Sequence, residues 1–427
     1  MLLAWIGLLL EILIFTIIRP VVNDYEVVSM CFIGVNAVLV LIGISMYHKE
    51  CRVLLFFAYI VRMFVMFWDV YGRKIFIFPN SGGDSEGYMI SAAAIAGNLN
   101  LLNTTVFGGF YAKFLGILFA FTGQERLIAQ YINVLLGLTT IVILYKTLLL
   151  LNVESKIVRR SVALIAFFPN TIIFSGILLR ECITTTFVML SVYFFIKSYR
   201  TKSYISMLSS VLYLLFASAF HAGVIGILIG YMFFYMFYDH NIRKFSFSYQ
   251  SVLIFLTFII VGFIVSQYSG TFLGKFGNVA AADDVYAQAN ASRGESAYLP
   301  GMEIKSLVDM ILYGPIKMFY FLASPLPMNW RGFNDIFAFL IDSSIYIWIL
   351  LFTVLNLKYV KKKALAIGII VILLTTSFIF GIGVSNAGTA MRHRQKIFPI
   401  VILLYAIVAD GKMKRLLITA EGKGGIL

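Results

Sequence analysis

The chain has 427 residues, of which 61% are hydrophobic and 13% charged, and its formal net charge is +14. Soluble domains average about 45–50% apolar and about 25% charged residues, so the composition excludes a water-soluble globule and points to a polytopic membrane protein. Lysine and arginine are retained in cytoplasmic loops, so the positive balance calls for no nucleic-acid partner.

A membrane span takes about 20 apolar residues, with about 17–25 tolerated. The opening MLLAWIGLLLEILIFTIIRP lacks the basic start and small-residue cleavage site of a signal peptide and reads as a first span that is kept. Further apolar runs lie near 27–47, 53–70, 126–150, 161–179, 182–197, 204–220, 222–238, 251–269, 335–356, 365–384 and 396–410. With the first, they predict an all-α polytopic protein of about 12 transmembrane helices, forming one integral membrane domain over 1–427. The basic clusters at 48–52, 154–160, 197–202, 241–244, 358–363 and 412–415 then share one side. By the retention bias that side is the cytoplasm, and both termini lie there. The expected location is a bacterial plasma (inner) membrane.

Two large extracytoplasmic loops follow, 71–125 and 270–334. Each holds an apolar stretch, 106–121 and 309–327, that would invert the basic loops if it crossed, so both are expected to be re-entrant or interfacial. Their glycines and prolines suit backbone that protein or a water-filled cavity must satisfy. Two charges fall deep inside spans, Glu11 and Arg62. Intramembrane ions are costly and face a partner or a cavity. A buried Glu11–Arg62 pair is the plain expectation, with Asp69 a competing partner for the arginine and an ion relay the functional alternative. Cys31, Cys51 and Cys182 show no spacing that suggests a disulfide framework or a metal site.

Four arginines have no topological reason to lie outside: Arg180, Arg331, Arg392 and Arg394, with Lys396 close behind. Arginine suits phosphate because it stays charged and presents a fixed fork of donors; snorkelling to lipid headgroups is the bland alternative. Arg180 and Glu181 fall at a hairpin between two apolar runs. His221, in LLFASAFHAGVIGILIG, stands between two spans, where an imidazole can take a proton from a hydroxyl or bond a phosphate. In NSGGDSEGYM, residues 80–89, Asp84 reads as a general base, a metal ligand or the cap of a short helix. No phosphate-cradling loop with lysine, HExxH, CxxC or GxSxG occurs, which excludes ATPases, zinc proteases and serine hydrolases of those types.

The stretch 175–231, with its hairpin arginine, basic turn and FHAG, resembles the EpsG-like branch of the Wzy-type polymerases of bacterial surface polysaccharides. DSEGY in the first large loop and AMRHRQKIFP near the end are similar to features of that group. One departure is Glu181, where EpsG-type sequences often carry glutamine. The resemblance implies a glycosyltransferase of the outer leaflet. It would transfer a growing glycan from undecaprenyl diphosphate to an incoming lipid-linked repeat, building capsule, exopolysaccharide or O-antigen. Arg180, with Arg392 and Arg394, would hold the diphosphate, and His221 or Asp84 would act as base. Arg331 would help the second large loop to cover the glycan, and Glu181 and Tyr88 complete the expected substrate-contacting set. No metal or other cofactor is expected. The implied partners are the undecaprenyl-diphosphate-linked oligosaccharide and the bilayer, together with a chain-length regulator and a flippase. A single-sugar lipid-dependent transferase, an O-antigen-type ligase and a transporter are the rival readings.

Overall fold

An apolar segment at membrane depth must bond its own N–H and C=O groups, and a helix does so within one segment. The computed structural model describes residues 1–249, 251–258, 296–299, 302, 304 and 306–424, and it is built almost wholly of helices. Among the described residues seven helices are long and apolar enough to cross a membrane, and eight if one bent pair is a single span. The protein is therefore an all-α polytopic membrane protein. Residues 259–269 of the expected run at 251–269, and residues 270–295 of the loop at 270–334, lie outside the described residues.

The chain divides into two compact units. The first comprises residues 1–143 and 162–186. It holds α1 (Leu2–Ile18), α2 (Tyr25–Ser45), α3 (Lys49–Phe67), α4 (Asp84–Gly97) and α5 (Gly109–Thr122). It also takes the first part of α6 (Arg126–Leu150), the end of α7 (Ser155–Phe167), α8 (Pro169–Gly176) and the first turns of α9 (Glu181–Thr201). Asp24 starts α2 by accepting from the N–H groups of Glu26 and Val27 at 3.0 and 3.1 Å, satisfying two donors that a helix start leaves open. At 14 residues α5 falls short of a span. Tyr88 and Phe107 close the α4–α5 contact, where Gly108 adopts φ +86° and a side chain would collide with the Tyr88 ring.

Pro169 cannot donate to the end of α7, so α7 and α8 meet at a 50° bend. Arg62 fills the break. Its Nη1 donates to the Ala166 carbonyl at 2.9 Å and to Ala58 at 3.0 Å, and Nη2 reaches Thr171 Oγ1 at 3.3 Å. The expected Glu11–Arg62 pair is therefore absent: the guanidinium bonds the Ala166 carbonyl at the break and the Ala58 carbonyl of its own helix, and Glu11 bonds Asn36 instead. Asp69 is not the partner of Arg62 either, since it binds Arg73 and Arg126.

The second unit comprises residues 144–161 and 187–427. Its further elements are α10 (Tyr204–Phe220), α11 (Gly226–Phe237) and a short antiparallel hairpin, β1 (Tyr238–Asp239) with β2 (Lys244–Phe245). Then follow α12 (Leu307–Ala323), α13 (Phe333–Ala338), α14 (Ser344–Asn356), α15 (Lys363–Ile382), α16 (Ala387–Arg394) and α17 (Phe398–Gly424). Gly226 packs on Thr376, Gly230 on Ile372 and Phe234 on Gly368, so α11 and α15 run antiparallel in close contact. Residues 397–409, at the start of α17, are buried without a break and form the centre of this unit.

The two ends of α15 differ in chemistry. At its start, Lys362 reaches the Leu151 carbonyl, Lys414 reaches the Asn152 carbonyl at 3.1 Å, and Asp410 accepts from Glu154 N and Lys414. Three of the expected basic loops thus meet at one end. A 20-residue helix is about 30 Å long, which places residues 383–396 and His221 at the opposite end. There residues 296–298 are tied to the start of α16. Tyr298 N donates to Ser385 O at 2.9 Å, Ala387 N to Ser296 O at 3.0 Å, and Arg331 Nη2 to Ala297 O at 2.6 Å.

Candidate functional site

Three side chains converge where α10 ends and α16 turns into α17. His221 terminates α10 and starts the next short helical turn, where its Nδ1 accepts the Gly223 N–H at 3.3 Å. Its ring lies 4.4 Å from the His393 ring, centroid to centroid, at 69°. Phe380 of α15 stands 5.4 Å from both imidazoles and forms an aromatic wall. His393 and Lys396 are three residues apart and so share a helical face. Lys396 Nζ lies 3.1 Å from His393 Nδ1 and 3.5 Å from the Arg392 carbonyl, and the lysine is fully buried.

These contacts fix where the imidazole protons sit. A backbone N–H can only donate, so His221 Nδ1 is an acceptor and the ring hydrogen of the neutral form belongs on Nε2. The Lys396 ammonium likewise has hydrogens alone to offer, so His393 also carries its proton on Nε2. The cluster therefore gathers imidazole N–H groups and a lysine at one place, with Arg392 adjacent in sequence. Such a set stabilises negative oxygen atoms; it is poorly made to remove a proton. Of the two His221 ring nitrogens, Nδ1 is thus engaged by the Gly223 N–H.

Arg394 is placed differently from the sequence expectation. It is fully buried, and Nη1 donates to the carbonyls of Leu322 at 3.0 Å and Ser324 at 2.7 Å, the last acceptors of α12. Nη2 binds Asp342 and the Ser343 hydroxyl, and the guanidinium lies 5.1 Å from the centre of the Tyr346 ring. With these donors engaged inside the protein, Arg394 works as a clamp between helices and does not offer them to a ligand. Arg331 is exposed and holds Ala297, on the residues that return from the second long loop.

The first unit holds the remaining expected residues. Arg180 precedes α9, and its carbonyl accepts from Thr184 N and Oγ1. Asn133 of α6 shapes the turn in front of it, donating Nδ2 to the Ile177 and Leu179 carbonyls at 2.9 and 3.0 Å. Arg180 is half-buried, and its Nε has no hydrogen-bond partner among the described residues. Glu181 and Tyr88 are buried, Tyr88 against Tyr111 with ring centres 5.1 Å apart. Asp84 is the first residue of α4, and the cap position belongs to Gly83.

A second polar cluster in this unit escaped the sequence reading. Asp69, fully buried, accepts from Ser81 Oγ at 2.5 Å and Gln130 Nε2 at 2.6 Å, and pairs with Arg126 at 3.2 Å. Glu86 pairs with Arg73 at 2.7 Å and Arg126 at 2.8 Å. Burial works to raise the Glu86 pKa, but the two guanidinium groups outweigh it and hold the carboxyl below the usual carboxylate range. The cluster pins the loop that leads to Asp84. His393 was not among the expected residues, although its i,i+3 spacing from Lys396 is legible in the sequence. Comparison with known proteins returns no family model, no curated protein and no solved structure that matches the chain.

Proposed function

We propose that this protein is a membrane glycosyltransferase that polymerises lipid-linked oligosaccharide repeats, with undecaprenyl diphosphate as the leaving group. The observation that carries this reading is the His221–His393–Lys396 cluster, whose donors and positive charge suit a departing diphosphate. It lies at the end of α15 opposite the basic loops, and by the retention bias that end faces outward. Preorganised donors aimed at developing negative charge are a large source of rate acceleration. The cluster would lower the barrier by holding charge on the diphosphate as the glycosidic bond to the carrier breaks. Arg331 would steady residues 296–298 beside the glycan. For Arg180 and Asp84, in the first unit, the resemblance implies phosphate contact and base.

The test is incubation of the purified protein with a lipid-linked repeat. A ladder of products is expected; a single addition would assign a single-sugar transferase, and no covalent product would sink the reading. Variants at His221 separate donor from base. Glutamine still donates an N–H, so His221→Gln should stay within roughly tenfold of the parent, whereas His221→Leu should lose about 10²–10³ in turnover. Equal loss in both would restore a base.

A further inference from the structure

Glu11 lies in the middle of α1, a helix apolar enough to span, and is 6% exposed. Among the described residues no ammonium or guanidinium pairs with it. An ordered chain of neutral donors meets it instead. Asn36 of α2 gives its Nδ2 hydrogens to the Ala4 carbonyl at 3.0 Å and to Glu11 Oε2 at 3.1 Å. A carbonyl cannot donate, so the amide orientation is settled and Asn36 Oδ1 faces the Tyr131 hydroxyl at 2.9 Å. Tyr131 has then used its hydrogen, and its oxygen accepts from Tyr59 at 3.2 Å. Asn36, Tyr59 and Tyr131 are all buried. The hydrogens therefore run one way, from Tyr59 through Tyr131 and Asn36 to Glu11. The last oxygen, Glu11 Oε1, is buried with no hydrogen-bond partner among the described residues.

A carboxylate in an apolar interior, with one neutral donor and no cation, lowers its cost by taking up a proton. Oε2 accepts from Asn36, so that proton belongs on Oε1. We propose that Glu11 is a membrane-buried proton-binding site, a neutral acid backed by three aligned donors, and that lipid-soluble carbodiimides modify it. The alignment gives the site a way to release as well as to hold its proton, because polarised donors strengthen toward a charge at the end of a chain. In the modification the acid proton passes to one carbodiimide nitrogen while the carboxyl oxygen adds to the central carbon. The O-acylisourea so formed rearranges to a stable N-acylurea, and nothing leaves.

The experiment treats the folded full-length protein with dicyclohexylcarbodiimide at neutral pH and maps the adduct by peptide mass. One adduct on Glu11 is expected, absent from Glu11→Gln, while a water-soluble carbodiimide leaves Glu11 unmodified. Infrared spectra of the untreated protein give a second readout that needs no labelling: a carboxylic-acid carbonyl band that Glu11→Gln removes. Failure to label Glu11, or a spectrum unchanged by Glu11→Gln, overturns the proposal. Protection from labelling by sodium but not by choline also overturns it, in favour of a metal cation. Neither readout depends on the glycan reaction.

Discussion

Replacing Arg394 with methionine removes a charge while keeping much of the side-chain volume, and the structure sets the cost. Asp342, 1% exposed, loses its ion-pair partner, and the carbonyls of Leu322 and Ser324 lose their donor. Breaking one side of a buried pair costs about 3–5 kcal/mol, because the surviving charge stays buried with its ion-pair partner gone. With an unfolding entropy of about 2.1 cal/mol/K per residue, each kcal/mol shifts a chain of 427 residues by roughly 1 °C, so the melting temperature falls by about 3–6 °C. The assay is thermal unfolding of the detergent-solubilised protein, followed by the loss of monodisperse material on size exclusion. Arg394→Met/Asp342→Leu should recover part of the loss, since the buried carboxylate is gone, and the non-additivity of the cycle measures the coupling. An Arg394→Met protein that melts like its parent but makes no product would refute the clamp and return Arg394 to the substrate-binding set.

Two further outcomes follow from the first unit. Asn133→Leu strips both carbonyl contacts from the turn before Arg180, at about 1–3 kcal/mol for each buried acceptor left unpaired. It should also speed maleimide labelling of Cys182, whose thiol is buried and donates to the Asn133 carbonyl at 3.2 Å; peptide mapping separates it from exposed Cys31. The depressed pKa of Glu86 fixes the sign of an acid effect. Its contribution is complete above the unfolded carboxylate value of about 4.3 and is lost as pH falls through the lower folded value. Glu86 is 42% exposed, so Glu86→Gln should cost no more than about 1 kcal/mol at neutral pH. The variant and parent melting curves should converge in acid; a gap that widens there would contradict the pairing.

How far the site was legible differs residue by residue. His221 and Lys396 were visible because polar groups beside apolar runs stand out in the sequence. His393 was hidden between two arginines, although i,i+3 spacing already placed it on the face of Lys396. Arg394 was misjudged because its charge and position match a ligand contact, while the need of α12 for donors at its last carbonyls is invisible without the fold. Glu11 and Arg62 look like partners in one dimension. The break before Pro169, more than 100 residues from Arg62, brings the Ala166 carbonyl to the guanidinium.

The sequence by itself determined the solvent: enough apolar residues, in runs long enough to span, dictate a helical membrane protein, because hydropathy and backbone hydrogen bonding are local. It also indicated which loops collect basic charge, and three of them do meet at one end of α15. The tertiary structure decided what each buried or half-buried ion does. Partner choice depends on which carbonyls and carboxylates come within about 3 Å, and such distances arise from packing between segments far apart in the chain.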